Sequence, residues 1–224
     1  SGAQGGCVGS PFTLTVTLSS RPAITDKTDV ICSGGTFSVT PQNGGAELVP
    51  SGTVYTWTVA ANANVSGESN QATAQPSISQ TLTNLTNQVQ TVVYTVTPTS
   101  GVQGSCVGST FTITVTVNPK PVLPAQAETI CSGGTFTLTP TNAQPTTIIP
   151  ANTTYIWTVV DNPNVTGESD QASPQSSISQ TLTNLTNQSQ QVVYTVTPTS
   201  GAQGGCVGSP FTLTVTLSSR PAIT

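Results

Sequence analysis

The chain has no histidine and no methionine, and of its 224 residues only 4 are Lys or Arg and 8 are Asp or Glu. Without imidazole no ordinary side chain titrates between pH 5 and 8, and no Ser or Thr hydroxyl has its usual activating base. Nucleophilic catalysis of the triad type fails on inventory. Eight scattered acids are equally hard to assemble into the paired carboxylates of glycoside cleavage. Four cations against a net charge of −4 cannot line a phosphate-binding surface, which excludes nucleic acid as a partner. No run approaches the roughly 18 apolar residues of a membrane helix, so no membrane insertion is expected. Sparse charge can accompany disorder, but disordered chains combine high net charge with few β-branched residues. Here 43 residues are Thr, and Val and Ile recur throughout. The composition predicts folded, all-β structure.

Self-comparison is the most informative reading. Ser1 to Thr25 reads SGAQGGCVGSPFTLTVTLSSRPAIT, and Ser200 to Thr224 repeats it letter for letter. A shorter period lies inside this one. Cys7, Cys106 and Cys206 each precede Val-Gly, while Cys32 and Cys131 each open Cys-Ser-Gly-Gly. Ser77 to Gln88 recurs as Ser177 to Gln188, and Val92 to Gly101 as Val192 to Gly201 apart from the Val or Ala that follows. Cys32 maps to Cys131 and Trp57 to Trp157, which places a one-residue insertion in the loop after Pro41 or Pro140. Unit one is read as residues 22–118 and unit two as 119–218. Residues 1–21 are then the terminal strand and linker of a preceding repeat, and 219–224 a linker to a following one. A lone closing strand leaves half its hydrogen-bonding groups unpaired, so further repeats are expected on both sides.

Strands are legible from alternation. Phe111, Ile113, Val115 and Val117 share one face, with Thr112, Thr114 and Thr116 on the other; Phe12, Leu14, Val16 and Leu18 repeat the pattern, as do Phe211, Leu213, Val215 and Leu217. The apolar face is predicted to be core. Tyr55, Trp57 and Val59 mark another strand, Val92, Tyr94 and Val96 another, and Phe37 and Val39 another after the Ser33-Gly34-Gly35 turn. Ile78, Leu82 and Leu85 also fit a helical spacing, but their neighbours are Ser, Thr, Asn and Gln, so strand followed by a corner is the reading. Six or seven short strands per unit, a central Trp and a Tyr in the penultimate strand describe tandem immunoglobulin-like β-sandwiches. Leu82-Thr-Asn-Leu85 followed by Tyr94 is similar to the corner of such sandwiches, where a Tyr hydroxyl ties back to the backbone.

The ordered set Ile31-Cys-Ser-Gly-Gly, Tyr55-Thr-Trp-Thr-Val, Leu82-Thr-Asn-Leu, Val93-Tyr-Thr-Val-Thr-Pro, Cys106-Val-Gly and a closing Thr-Val-Asn-Pro resembles the PKD-like domains repeated in giant secreted proteins of Bacteroidota. It covers both units. The resemblance implies spacers or stalks of surface adhesins and gliding-associated proteins, exported by the type IX system and carrying no catalysis of their own.

Five cysteines fit two per unit plus Cys7 from a neighbouring repeat. Their wide spacing gives no metal site, and secreted repeats favour oxidised pairs. Two connectivities stand. Pairing within each unit joins Cys32 to Cys106 and Cys131 to Cys206. In a seven-strand sandwich, however, the start of the second strand and the hairpin before the last strand lie at opposite ends, and bridged Cα atoms sit only about 4.4–6.8 Å apart. In a head-to-tail array the hairpin of one unit faces the base of the unit before it, so Cys32 can instead bridge to Cys206.

Trp57 and Trp157, with Tyr94 and Tyr194, are read as core anchors; exposed, the tryptophans would suit sugar stacking. Glu68 and Glu168, identical acids matched between units, are read as lying in solvated loops, since calcium wants several closely spaced carboxylates. Arg21, Lys27, Lys120 and Arg220 fall at unit junctions, where they are read as orienting successive units, and both lysines are placed in linkers. The short Pro-rich linker Asn118-Pro-Lys-Pro-Val-Leu-Pro limits hinge freedom and favours an extended rod. The expected function is a non-enzymatic shaft of an extracellular filament, stalk or adhesin on the cell surface. No cofactor is expected, and the partners are neighbouring repeats of the same chain or identical subunits in a filament. The alternative is a glycan- or ligand-binding module of a secreted protein.

Overall fold

The computed structural model describes residues 9–101, 104–201 and 204–219. Unit one contains β1 (Lys27–Cys32), β2 (Gly35–Val39), β3 (Val54–Val59), β4 (Val65–Ser66), β5 (Gln71–Gln75), β6 (Ile78–Asn84), β7 (Gln90–Thr99) and β8 (Phe111–Asn118). Unit two repeats them as β9 (Gln126–Cys131), β10 (Gly134–Leu138), β11 (Thr154–Val159), β12 (Val165–Thr166), β13 (Gln171–Gln175), β14 (Ile178–Asn184), β15 (Gln190–Thr199) and β16 (Phe211–Ser218). Each unit is a two-layer sandwich. A five-stranded sheet, β1-β8-β7-β3-β5, packs over a three-stranded one, β2-β6-β4, and β9-β16-β15-β11-β13 packs likewise over β10-β14-β12. The first strand runs parallel to the last (β1 with β8, β9 with β16), and the other pairings are antiparallel.

Period-two alternation fixes register, because a slip of one residue would carry every apolar side chain to the wrong face. On β8 the face of Phe111, Ile113, Val115 and Val117 is buried, and Thr112, Thr114 and Thr116 lie outward. Opposite them stand Val92, Tyr94 and Val96 of β7, and Phe37, Ile78 and Leu82 from the second sheet complete the core. Unit two builds its own core from the same positions. Each of these aliphatic side chains contributes about 1.5–3 kcal/mol by leaving water.

The Cys-Ser-Gly-Gly motif turns β1 into β2. Gly34 sits at φ +80 and donates its N–H to the Leu82 carbonyl at 2.8 Å. A Cβ on Gly35 would stand 2.8 Å from the Cys32 oxygen, so only glycine fits. The Ser33 hydroxyl accepts the Asn84 N–H at 3.0 Å and donates to the Asn84 carbonyl, clasping the two turns together; Ser132 does the same to Asn184.

Three expectations need correction. Each unit has eight strands rather than six or seven, because β1, β5 and the two-residue β4 lack a clean apolar alternation. Lys27 is not in a linker but is the first residue of β1. Phe12, Leu14, Val16 and Leu18, expected as core, are 89, 78, 69 and 90% exposed and belong to no strand. The reason is topological: unit one is already closed by β8 and unit two by β16, so neither has a vacant position for them.

Candidate functional site: the junction between the units

The junction is assembled from the base of unit one and the top hairpin of unit two. Parallel pairing of β1 with β8 brings Cys32 into register with Asn118, the last residue of each strand, and the Ser33 N–H donates to the Asn118 carbonyl at 2.8 Å. In unit two the turn between β15 and β16 is closed by Ser200 N–H to the Cys206 carbonyl, 2.9 Å, and Gly208 N–H to the Pro198 carbonyl, 2.8 Å. That turn holds Cys206 buried. A disulfide joins Cys32 to Cys206 with a Cα–Cα distance of 5.7 Å across 174 residues of sequence. Cys106 and Cys131 are free thiols. The pairing within each unit is therefore not the one formed: Cys32 and Cys106 belong to opposite ends of the same sandwich. Cys7 lies outside the described residues.

Close backbone approach completes the contact. A Cβ on Gly204, at φ +98, would stand 2.7 Å from the Asn118 amide nitrogen, and one on Gly208 would stand 2.6 Å from the Pro121 carbonyl. Both positions need glycine for the linker to lie against the hairpin. On the other side, the Asn87 amide donates to the Ile149 carbonyl at 3.4 Å and the Gln144 amide donates to Asn87 Oδ1 at 3.3 Å. Among the described residues, the disulfide and these side-chain hydrogen bonds fix unit two on unit one.

The charges assigned to junctions act mainly inside unit one. Lys27 pairs with Glu47, and that contact, followed by the Thr25 hydroxyl, holds the Glu47 carboxyl below its ordinary value. The Thr112 N–H donates to Asp26 at 2.7 Å and lowers that carboxyl likewise. Arg21 donates from Nε to the Val107 carbonyl at 2.8 Å, tying the linker before unit one to that unit's own top hairpin. Lys120 is half-buried in the linker between the units. Arg220 lies outside the described residues.

The tryptophans are core: Trp57 and Trp157 are each 5% exposed, and each donates its indole N–H at 3.1 Å, to Ser69 and Ser169 carbonyls respectively. The Tyr94 and Tyr194 hydroxyls donate not to backbone, as expected, but to the side-chain oxygens of Gln80 and Gln180, both at 2.8 Å. Each glutamine amide in turn binds the serine carbonyl that accepts the indole, so Tyr, Gln and Trp form one clasp between the sheets. Desolvation, with the nearby glutamate second, raises both tyrosines well above the ordinary phenol value. Glu68 and Glu168 are not fully solvated. Each accepts a backbone N–H, from Asn62 and Asn162, on Oε1, and Oε2 is buried with no hydrogen-bond partner. The corner residue that sequence reasoning passed over is Asn84: its amide donates to the Gln88 and Val117 carbonyls and its oxygen accepts from the N–H and hydroxyl of Thr86. Asn-Leu-Thr at the end of the strand was the available signal.

Among the described residues, no group of three or more His, Cys, Asp or Glu side chains stands together as a metal site. The arrangement positions one sandwich on the next. The fold and junction define a class: tandem all-β sandwiches covalently pinned end to end. The chain belongs to the PKD-like domain family, whose profile matches residues 29–121 and again 128–221. No curated relative matches it. Among solved structures it is similar to mouse cadherin-23 EC22-24 (13% identity, TM-score 0.34, covering 87% of this chain and 64% of that one). It is also similar to Drosophila N-cadherin EC1-4 (11%, 0.32, covering 88% and 49%) and to a Photobacterium 2,6-sialyltransferase (14%, 0.28, covering 49% and 20%). The chain spans less than two thirds of each of these proteins, and at such scores none bears on what it does.

Proposed function

We propose that this chain is a load-bearing segment of an extracellular bacterial filament, stalk or adhesin shaft, without catalysis of its own. The observation that carries the reading is the Cys32–Cys206 bond, which crosses the junction and leaves each sandwich without a bridge of its own. Such a bond persists in an oxidising compartment, which suits export to the cell surface. It also reroutes force: tension entering at Cys206 passes directly to Cys32, and most of both sandwiches lies off the load path. The absence of His, the outward threonine faces and the scarcity of charge suit a surface meant to stay inert over a wide pH range. The glycan-binding alternative loses its aromatic platform, since both tryptophans are buried. The resemblance to repeats of giant Bacteroidota surface proteins supports the same reading. Electron microscopy of the natively secreted protein tests it. Unbranched rods with a repeat near two sandwich lengths are expected, and compact globules would overturn it.

A further inference from the structure

Residues 9–19 and 208–218 have the same sequence, GSPFTLTVTLS. In unit two most of that sequence is β16, paired with β15 on one side and β9 on the other, with Phe211, Leu213, Val215 and Leu217 buried. In the copy, Phe12, Leu14, Val16 and Leu18 are exposed and in no strand. A segment that forms a complete closing strand in one context has the pattern, register and side chains to form it in another. The sandwich it fits has unit two's sequence.

A second observation says where that sandwich sits. In unit two Ser218 is in register with Cys131, so Ser19, the copy of Ser218, would lie beside the equivalent cysteine of the missing sandwich. Ser19 already stands at unit one's top hairpin: the free Cys106 thiol contacts its carbonyl at 3.8 Å. A Cβ on Gly104 would stand 3.3 Å from the Ser19 hydroxyl, as one on Gly204 would face Asn118 at the junction already formed. Asn118 is the residue in register with Cys32, and Cys32 is bonded to Cys206. Ser19, the hairpin and the hairpin cysteine therefore stand at the top of unit one in the arrangement that carries a disulfide between units one and two. Only the partner thiol is lacking.

We infer that residues 9–19 close a third sandwich with the sequence of unit two, and that Cys106 is disulfide-bonded to that sandwich's counterpart of Cys131. The inference rests on the reading of this chain as an array segment and supplies its connection to the preceding repeat. Cys131, exposed at the base of unit two, is the matching half-site toward a following hairpin. Bond formation needs a low-molecular-weight disulfide as oxidant. One cysteine thiolate attacks it and releases a small thiol. The second cysteine thiolate then displaces the other, so two electrons and two protons end on two small thiols.

The test is a chain in which residues 119–199 are placed ahead of the full 224. Because residues 1–25 and 200–224 are identical, the join reproduces the uninterrupted sequence of residues 119–224. Both the extended and the original chain carry Cys7→Ser, so that no second unpaired hairpin thiol confuses the readout. After oxidation with glutathione disulfide, non-reducing peptide mapping is expected to join Cys106 to the added copy of Cys131. Iodoacetamide labelling of Cys106 should fall at least tenfold relative to the original chain. Leu14→Asp with Val16→Asp should abolish one unfolding transition of the extended chain and shift none in the original. Equal labelling of Cys106 in both chains, or its pairing with another cysteine, overturns the inference; if scattering still shows a rod longer by one sandwich, the array reading survives. A maximum dimension that does not grow overturns both.

Discussion

Removing the junction disulfide is the perturbation whose size follows most directly from the geometry. Cys32 lies beside Asn118 at unit one's base, so when unit two unfolds on a folded unit one, the bond closes a loop running from about Asn118 to Cys206, roughly 90 residues. When unit one unfolds on a folded unit two, the loop from Cys32 to Asn118 is of nearly the same length. Chain entropy for such loops corresponds to about 4.5 kcal/mol, and native disulfides commonly deliver 2–4. For domains of this size 1 kcal/mol shifts the melting temperature by about 4–8 °C. Cys206→Ser is therefore expected to lower both thermal transitions by roughly 10–20 °C in calorimetry, and reduction of the native chain to do the same. Cys106→Ser, which removes a free thiol, should leave both within about 3 °C. If Cys106→Ser lowers unit one's transition and Cys206→Ser lowers only unit two's, each unit holds its own bridge and the load-rerouting junction does not exist.

Acid should distinguish the units. The Asp26 and Glu47 carboxyls are lowered in the folded chain, so their stabilisation is full above the ordinary carboxylate range and is lost as pH falls through the lowered values. Unit two carries Ala125 and Gln126 where unit one has Asp26 and Lys27, so hydrogen exchange between pH 7 and pH 3 should loosen unit one by a modest amount and leave unit two unchanged; equal loosening would contradict this. In alkali the sign reverses. Burial pushes the Tyr155 hydroxyl up to about 12 and raises Tyr55, Tyr94 and Tyr194, so stability present below pH 10 should decline above it, by at most about 1.4 kcal/mol per pH unit per tyrosine. Absorbance at 295 nm should show no tyrosine ionising near pH 10 in the folded chain. Asn84→Ala removes the amide bonds to the Gln88 and Val117 carbonyls and the acceptor of the Thr86 N–H and hydroxyl, unravelling the corner, with an expected loss of about 2–4 kcal/mol in denaturant unfolding; Leu85→Ala, at a half-exposed side chain, should cost under about 1.

The strands legible in the sequence are those with one wet and one dry face. Phe111 to Val117, Tyr55 to Val59 and Val92 to Val96 announce both their conformation and their core side. Strand β5, Gln-Ala-Thr-Ala-Gln, has no apolar face to announce, and neither does β1, where Val30 is exposed and Ile31 only partly buried. The burial of Glu68 was hidden because it depends on Asn62 arriving from across a loop. The Tyr94 hydroxyl's partner was hidden because Gln80 lies on the opposite sheet and only its register selects it. Both cysteine schemes were legible, but choosing between them required knowing which end of the sandwich each Cys occupies. The exposure of Phe12 to Leu18 was hidden for the opposite reason: the local pattern is that of a complete strand, and what it lacks is a sandwich.

Single-molecule stretching from residue 9 to residue 219 measures the load path itself. With Cys32–Cys206 oxidised, the segment between these cysteines, which are separated by 174 in sequence, should not extend, and the release should be confined to the flanking segments. After reduction, unfolding of both sandwiches should add about 600 Å of contour length, at about 3.4 Å per residue. Equal contour lengths before and after reduction would show that the disulfide does not carry the load.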